Sequence, residues 1–181
     1  MCINAGHCPG IDPGAIGSTG LQEANVVRDI ALKLQHYLEQ AFVETCFIQD
    51  DSLANICEFA NNNYVDLFIS IHCNSASNPQ ANGTEIFTSY GKTHADYAAT
   101  MILKQISDTF PDLYVRADYS DGDVDKEAAF YVLKNTDMPA VLIELAFISN
   151  QFEEQLLSKQ SNQDMFARAI ARGITDYANK F

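Results

Sequence analysis

Positive charge is scarce in this chain: 11 Lys and Arg stand against 24 Asp and Glu in 181 residues, a formal net charge of -13. Phosphate-rich ligands are held by Lys and Arg that neutralise phosphates, so the deficit argues against nucleic acid as a partner. Long apolar runs are also lacking. The most hydrophobic stretches, Val65 to Ile71 and Pro139 to Ile148, are short and each contains a carboxylate, whereas a membrane helix needs roughly 18 or more consecutive apolar residues. No membrane span is expected. No basic residue precedes Arg28, so the start lacks the charged and then apolar pattern of a secretory signal. Export by another route, or excision from a longer protein, is the corresponding expectation. The five cysteines, Cys2, Cys8, Cys46, Cys57 and Cys73, are odd in number and have no CxxC spacing. Neither a disulfide framework nor a cysteine zinc knuckle is suggested, and mostly buried or free thiols are expected. No repeat, low-complexity block or Pro/Gly/Ser linker divides the sequence, and residues 1–181 are expected to form a single domain.

What is present is core-forming material. With 47% hydrophobic, 10% aromatic and 19% charged residues, the chain is able to bury a substantial core, and disorder is excluded. A short apolar strand ends at Gly6. Pro9, Gly10, Pro13, Gly14, Gly17 and Gly20 then crowd into a turn-rich loop, a kind of segment that usually carries function. Val27, Ile30, Leu34, Leu38 and Ala41 recur at helical steps within Leu21 to Ala41. Further strands are expected at Phe42 to Gln49, Asp66 to Cys73, Gly83 to Thr88, Phe130 to Leu133 and Ala140 to Leu145. Helices are expected at Ser52 to Asn62, Thr93 to Phe110, Phe152 to Lys159 and Asn162 to Asn179. The alternation implies an α/β fold, a mostly parallel twisted sheet of about six strands with helices on both faces. The acidic stretch Tyr114 to Lys126 has no clear assignment.

Four histidines exist, and two of them, His7 and His72, end expected strands. In open α/β sheets, sites lie outside the carboxyl ends of the strands. Glu23 follows the Gly-rich loop at the first turn of a helix, and Glu144 lies inside the apolar run Val141-Leu142-Ile143-Glu144-Leu145. Burying an unpaired carboxylate is costly, so Glu144 requires a reason to be there. Two imidazoles and one carboxylate are the His2Glu set of a catalytic zinc, which leaves a position open for water and a second carboxylate as base. No local HExxH signature supports this, and residues 7, 23, 72 and 144 meet only if the fold gathers them. Taken one by one, the histidines also fit satisfied strand ends, Glu23 a helix-dipole carboxylate and Glu144 a buried ion-pair partner. His36 and His94, among polar neighbours on helices, read as surface residues. Cys8 and Cys73 each follow a site histidine and raise a rival Cys/His nucleophile; strand alternation turns Cys73 away from His72.

The ordered blocks Ile3-Asn4-Ala5-Gly6-His7 with Asp12-Pro13-Gly14-Ala15-Ile16-Gly17, then Glu23, then Asp66 to Asn74, then Gly83-Thr84-Glu85-Ile86-Phe87, then Met138 to Asn150 resemble the zinc-dependent N-acetylmuramoyl-L-alanine amidases of the Amidase_3 type. The resemblance covers nearly the whole chain and implies that residues 1–181 are a single catalytic domain with no separate wall-binding module. It implies one Zn2+ per chain bound by His7, Glu23 and His72, with Glu144 as catalytic acid/base and peptidoglycan as substrate. The implied reaction is hydrolysis of the amide between the lactyl group of N-acetylmuramic acid and the L-alanine of the stem peptide, at the cell wall, as in autolysins and endolysins. A zinc peptidase acting within the stem peptide, and a catalytically inactive wall-binding domain, are the alternatives. Asn74 is a candidate for orienting a ligand or substrate carbonyl, or a plain turn cap. Two departures from the family pattern, the longer His7-Cys8-Pro9-Gly10-Ile11-Asp12 block and Ala146 in place of a usual glycine, bear on substrate fit. Some relatives cover the site with a helical insertion. The 15 residues from Tyr114 to Ala128 are too few for such a lid, so no built-in autoinhibition is expected.

Overall fold

A computed structural model describes residues 1–180. Six strands, β1 (Cys2–Ala5), β2 (Cys46–Ile48), β3 (Phe68–Asn74), β4 (Glu85–Thr88), β5 (Lys126–Glu127) and β6 (Ala140–Phe147), form one sheet in the order β2-β1-β3-β6-β4-β5. The four strands β2, β1, β3 and β6 run parallel. β4 is antiparallel to β6, and β5 pairs parallel with β4 at the edge. The helices are α1 (Glu23–Gln40), α2 (Leu53–Asn62), α3 (His94–Thr109), α4 (Tyr131–Asn135), α5 (Gln151–Ser158) and α6 (Gln160–Ala178).

Strand alternation decides which face each helix covers. Ile69, Ile71 and Cys73 of β3, with Val141, Ile143 and Leu145 of β6, join the larger apolar cluster beneath α1, α3 and α6. Phe68, Ala140 and Leu142 project the other way and pack with Ile56, Cys57 and Ala60 of α2 and Val132 and Leu133 of α4. The helices therefore lie on both faces, as the alternation of elements implies. α2 and α4 cover only part of their face, and the polar residues Ser70, His72 and Glu144 continue the same side of β3 and β6 beyond them. Local signals begin the helices. Ser52 accepts from the Asn55 amide to start α2, and Thr93 and Asp96 form a reciprocal capping box on α3.

Two expected strands are corrected. Phe130 to Leu133 is the first turn of α4, not a strand: Val132 and Leu133 are consecutive and both buried, a pattern one helical turn provides and an alternating strand does not. The edge strand is instead β5, in the acidic stretch that had no assignment. The strand expected from Phe42 shortens to Cys46–Ile48, because Phe42 occupies an exposed turn with φ +60° that ends α1. His36 and His94 are exposed, as expected. All five cysteines are free. Among the described residues, no helix is long and apolar enough to cross a membrane.

The β4–β5 edge buries Asp125 at 3% exposure, with Thr88 Oγ1 donating to its Oδ2 at 2.6 Å. Burial, with the neighbouring Asp123 and Asp96 carboxylates, pushes its carboxyl from 3.8 up to about 7 despite the Thr88 bond. A carboxyl whose pKa is raised on folding keeps its proton while the unfolded chain loses it, so this contribution to stability falls as pH rises from about 4 to about 7. Asp125→Asn is expected to raise the melting temperature more at about pH 8 than at about pH 5. An equal change at both values contradicts this reading.

Candidate active site

The chain leaves β1 through Gly6 and enters the turn-rich loop at His7, whose φ of +60° aims its ring back over the sheet. Reciprocal backbone bonds between Cys8 and Asp12, at 2.9 and 2.8 Å, close the loop just after it. Glu154 on α5 holds the far part of the loop, accepting from Ser18 Oγ at 2.6 Å, Thr19 Oγ1 at 2.6 Å and the Thr19 amide at 2.8 Å. Glu23 is the first residue of α1, and His72 sits near the carboxyl end of β3.

These three side chains converge. Glu23 Oε2 lies 3.2 Å from His7 Nε2 and Glu23 Oε1 lies 3.0 Å from His72 Nδ1. The two imidazoles meet edge to face with centroids 5.2 Å apart. One donor atom from each of the three falls within 4.8 Å of the others, a spacing that could hold a metal ion. The carboxylate is fixed by the Ala15 and Cys73 amides, each at 2.9 Å. Behind His7, Asp12 Oδ2 contacts Nδ1 at 2.6 Å, the carboxylate–imidazole contact that orients metal-binding histidines in general. Space is equally specific: a Cβ on Gly6 would stand 2.2 Å from His72 Cε1, and one on Gly14 2.6 Å from the His7 ring. Both rings therefore lean against bare backbone.

The electrostatics follow from the packing. Glu23 is 3% exposed. Its burial opposes ionisation, but the bonds from His7 and His72 outweigh that and hold its carboxyl well below the usual range. The bond to Glu23 raises His7 to about 9, against partial burial and with help from Asp12. Glu144 pairs in register with His72 across the β3–β6 ladder and with Glu85 across β6–β4. Its Oε2 is sealed from solvent and has no hydrogen-bond partner among the described residues. Burial, then the charges of Glu23 and Glu85, push its carboxyl up to about 8, with His7 opposing. Glu144 thus shares one cavity with His7 and His72, and its buried oxygen is an acceptor that no described residue satisfies.

The fold thus gathers His7, Glu23, His72 and Glu144 from four elements. Asn74 is different: its Nδ2 donates to Glu85 and its Oδ1 accepts from the Ser75 amide, so its contacts support the turn-capping role. Cys73 is 3% exposed and belongs to the opposite apolar face. Burial, with the Glu23 and Glu144 charges, holds its thiol well above the usual range, which is the reverse of an activated nucleophile. Two partners were not singled out from sequence. Asp12 stood in a recognised block without a role, and Glu85 is a carboxylate in a short apolar strand, the same signal that marked Glu144.

Residues 1–176 match the family model described as N-acetylmuramoyl-L-alanine amidase, Amidase_3. The chain belongs to this amidase family. It is 29% identical over 222 residues to N-acetylmuramoyl-L-alanine amidase AmiA of Salmonella typhimurium, covering all of this chain and 76% of that one. The endolysin of Bacillus phage SPP1 is 32% identical over 182 residues, covering 98% of this chain and 65% of the endolysin. Among solved structures, the amidase AmiC2 of Nostoc punctiforme superposes with a TM-score of 0.86 at 28% identity, over 99% of this chain and 97% of that chain. The CwlD amidase of Clostridioides difficile, solved in complex with the GerS lipoprotein, gives a TM-score of 0.84 at 26% identity over 99% of both chains. The six-stranded α/β architecture is thus the architecture of solved amidases.

Proposed function

We propose that this chain is a zinc-dependent peptidoglycan hydrolase that cleaves the amide between the lactyl group of N-acetylmuramic acid and the L-alanine of the stem peptide, with residues 1–181 as one catalytic domain acting at the cell wall. The observation that carries the proposal is the unpartnered Glu144 Oε2 in the cavity that holds His7 and His72, next to the converging His7, Glu23 and His72 donors, in a chain of the amidase family. The donor set fits zinc: two imidazoles and one carboxylate are a recurrent catalytic set. One Zn2+ per chain, held by His7, Glu23 and His72, supplies Lewis acidity toward the lactyl carbonyl and eases deprotonation of water.

The chain's own residues do the rest. Glu144 removes the proton of the attacking water and returns it to the departing alanine nitrogen, acting first as base and then as acid. Ionised Glu144 would be favoured by a cation held at His7, Glu23 and His72, against the raised pKa that burial imposes. Glu23, fixed by two backbone amides, sets the spacing of the two histidines, and Asp12 fixes the orientation of His7.

Metal analysis of the purified protein tests the cofactor directly: about one zinc per chain, with activity lost on chelation and restored by zinc, is the expected result. Metal-free protein with undiminished activity contradicts the proposal. Asp12→Ala is expected to weaken zinc binding about 10- to 100-fold, the range for residues that orient a ligand; competition titration against a chromogenic chelator measures it. Below about pH 9 a metal must displace a proton from His7, so zinc affinity should strengthen as pH rises toward that value. An affinity independent of pH between about 6 and 8 would count against His7 as a ligand.

A further inference from the structure

Three side chains stand in a row across the uncovered part of the sheet face. His72 on β3, Glu144 on β6 and Glu85 on β4 are successive register partners, and residues directly opposite in a ladder project to the same side. Two strand spacings place Glu85 about 10 Å from His72 along the row. The Glu85 side chain is 7% exposed. Asn74 Nδ2 donates to its Oε1, while Arg116 Nε, at 3.1 Å, and Lys126 Nζ share its Oε2. Two cations share this one carboxylate, with the Glu153 charge near Arg116 and the Asp118 charge near Lys126, in a chain of net charge -13. Both remain reachable, with Arg116 35% and Lys126 27% exposed, and each lies over an aromatic ring, Arg116 over Phe147 and Lys126 over Phe87. The cavity of about 400 Å³ that holds His7, His72 and Glu144 does not reach these cations and is lined by the acidic Asp12, Asp50 and Asp51.

We infer that Arg116 and Lys126 form a specificity subsite for a carboxylate on the peptide side of the scissile amide, with Glu85 as the residue that positions them. This rests on the function proposed above and names which part of the substrate the charge gradient selects. An acidic peptide is repelled by most of this surface and meets the partly exposed donors of Arg116 and Lys126 at this end of the row. The second stem-peptide residue carries an α-carboxylate outside the linear backbone, free when the residue is isoglutamate and masked when it is isoglutamine. Two extended residues span about 7 Å, of the order of the strand spacing of about 5 Å that separates Glu144 from Glu85, whose carboxylate both cations contact. The free acid is therefore the preferred substrate.

The test is a pair of soluble N-acetylmuramoyl peptides that differ only in isoglutamate against isoglutamine at that position, assayed by release of amino-terminal L-alanine. The wild-type protein is expected to favour the acid about tenfold or more, through KM rather than kcat, as for a charge-assisted hydrogen bond. Lys126→Gln and Arg116→Gln should each shrink that ratio, and Lys126→Arg should keep most of it. Equal wild-type rates on the two substrates overturn the subsite. So does a variant that slows on both substrates with the ratio intact, since that is what a purely structural role predicts. If wild-type protein releases alanine from neither peptide, nor from intact wall, the function proposed above fails and this inference falls with it. Alanine release without discrimination removes the subsite alone.

Discussion

Glu144→Gln is expected to reduce turnover by about 10²- to 10⁴-fold, the usual contribution of a general acid/base, while leaving the protein folded and its zinc in place. The side chain stays isosteric but accepts no proton. Glu144 Oε2 has no partner among the described residues, so no hydrogen bond is broken by the change at that atom. Burial and the nearby Glu23 and Glu85 carboxylates make the charged form of Glu144 unfavourable in the metal-free protein. Removing that charge should therefore not lower the melting temperature, in line with the cost that functional sites commonly impose on stability. Steady-state kinetics, metal analysis and thermal unfolding on one preparation decide the matter. A Gln variant that retains turnover removes Glu144 from the role, and one that has lost its zinc makes it a ligand instead.

His72→Ala is expected to lose both metal and activity. Its Nδ1 faces Glu23 Oε1 at 3.0 Å and its ring leans on the Gly6 backbone, so no neighbouring side chain is placed to replace it. Glu23 keeps His7 and the two backbone amides, which should preserve the fold. Zinc content after dialysis should fall from about one per chain to a small fraction, since three protein donors are the normal minimum of a catalytic zinc site. Circular dichroism separates this loss from unfolding. A fully metallated, active His72→Ala protein contradicts the ligand assignment.

Much of this site was legible in the sequence because its residues violate local rules in visible ways. Glu144 interrupts an apolar strand, and His7 and His72 terminate strands where α/β sites form, so the burial cost of each charge pointed to function. Their convergence was not legible from spacing. It depends on β1, β3 and β6 being neighbours in parallel register, which local residues do not encode, although the resemblance of the blocks implied it. The direction of β4 was equally hidden. The connection from Ser75 to Thr84 contains no helix, and parallel neighbours require a crossover of a dozen or more residues, but only the tertiary pairing reveals that β4 lies beside β6. Phe130 to Leu133 misled because four apolar residues suit one buried helical turn as well as a strand. The acidic stretch before it was unreadable for another reason. β5 is two residues long, too short for any periodicity, and yet its Lys126, together with Arg116 upstream, supplies the only cations bonded to Glu85 among the described residues.

The central claim is the bond that is cut and the metal that is needed to cut it. Digestion of purified peptidoglycan with and without a chelator, followed by mass spectrometry and labelling of new amino termini, tests both together. The expected result is new amino-terminal L-alanine that disappears when zinc is removed and returns when zinc is restored. New termini at other stem-peptide residues, or alanine release indifferent to the chelator, would contradict it.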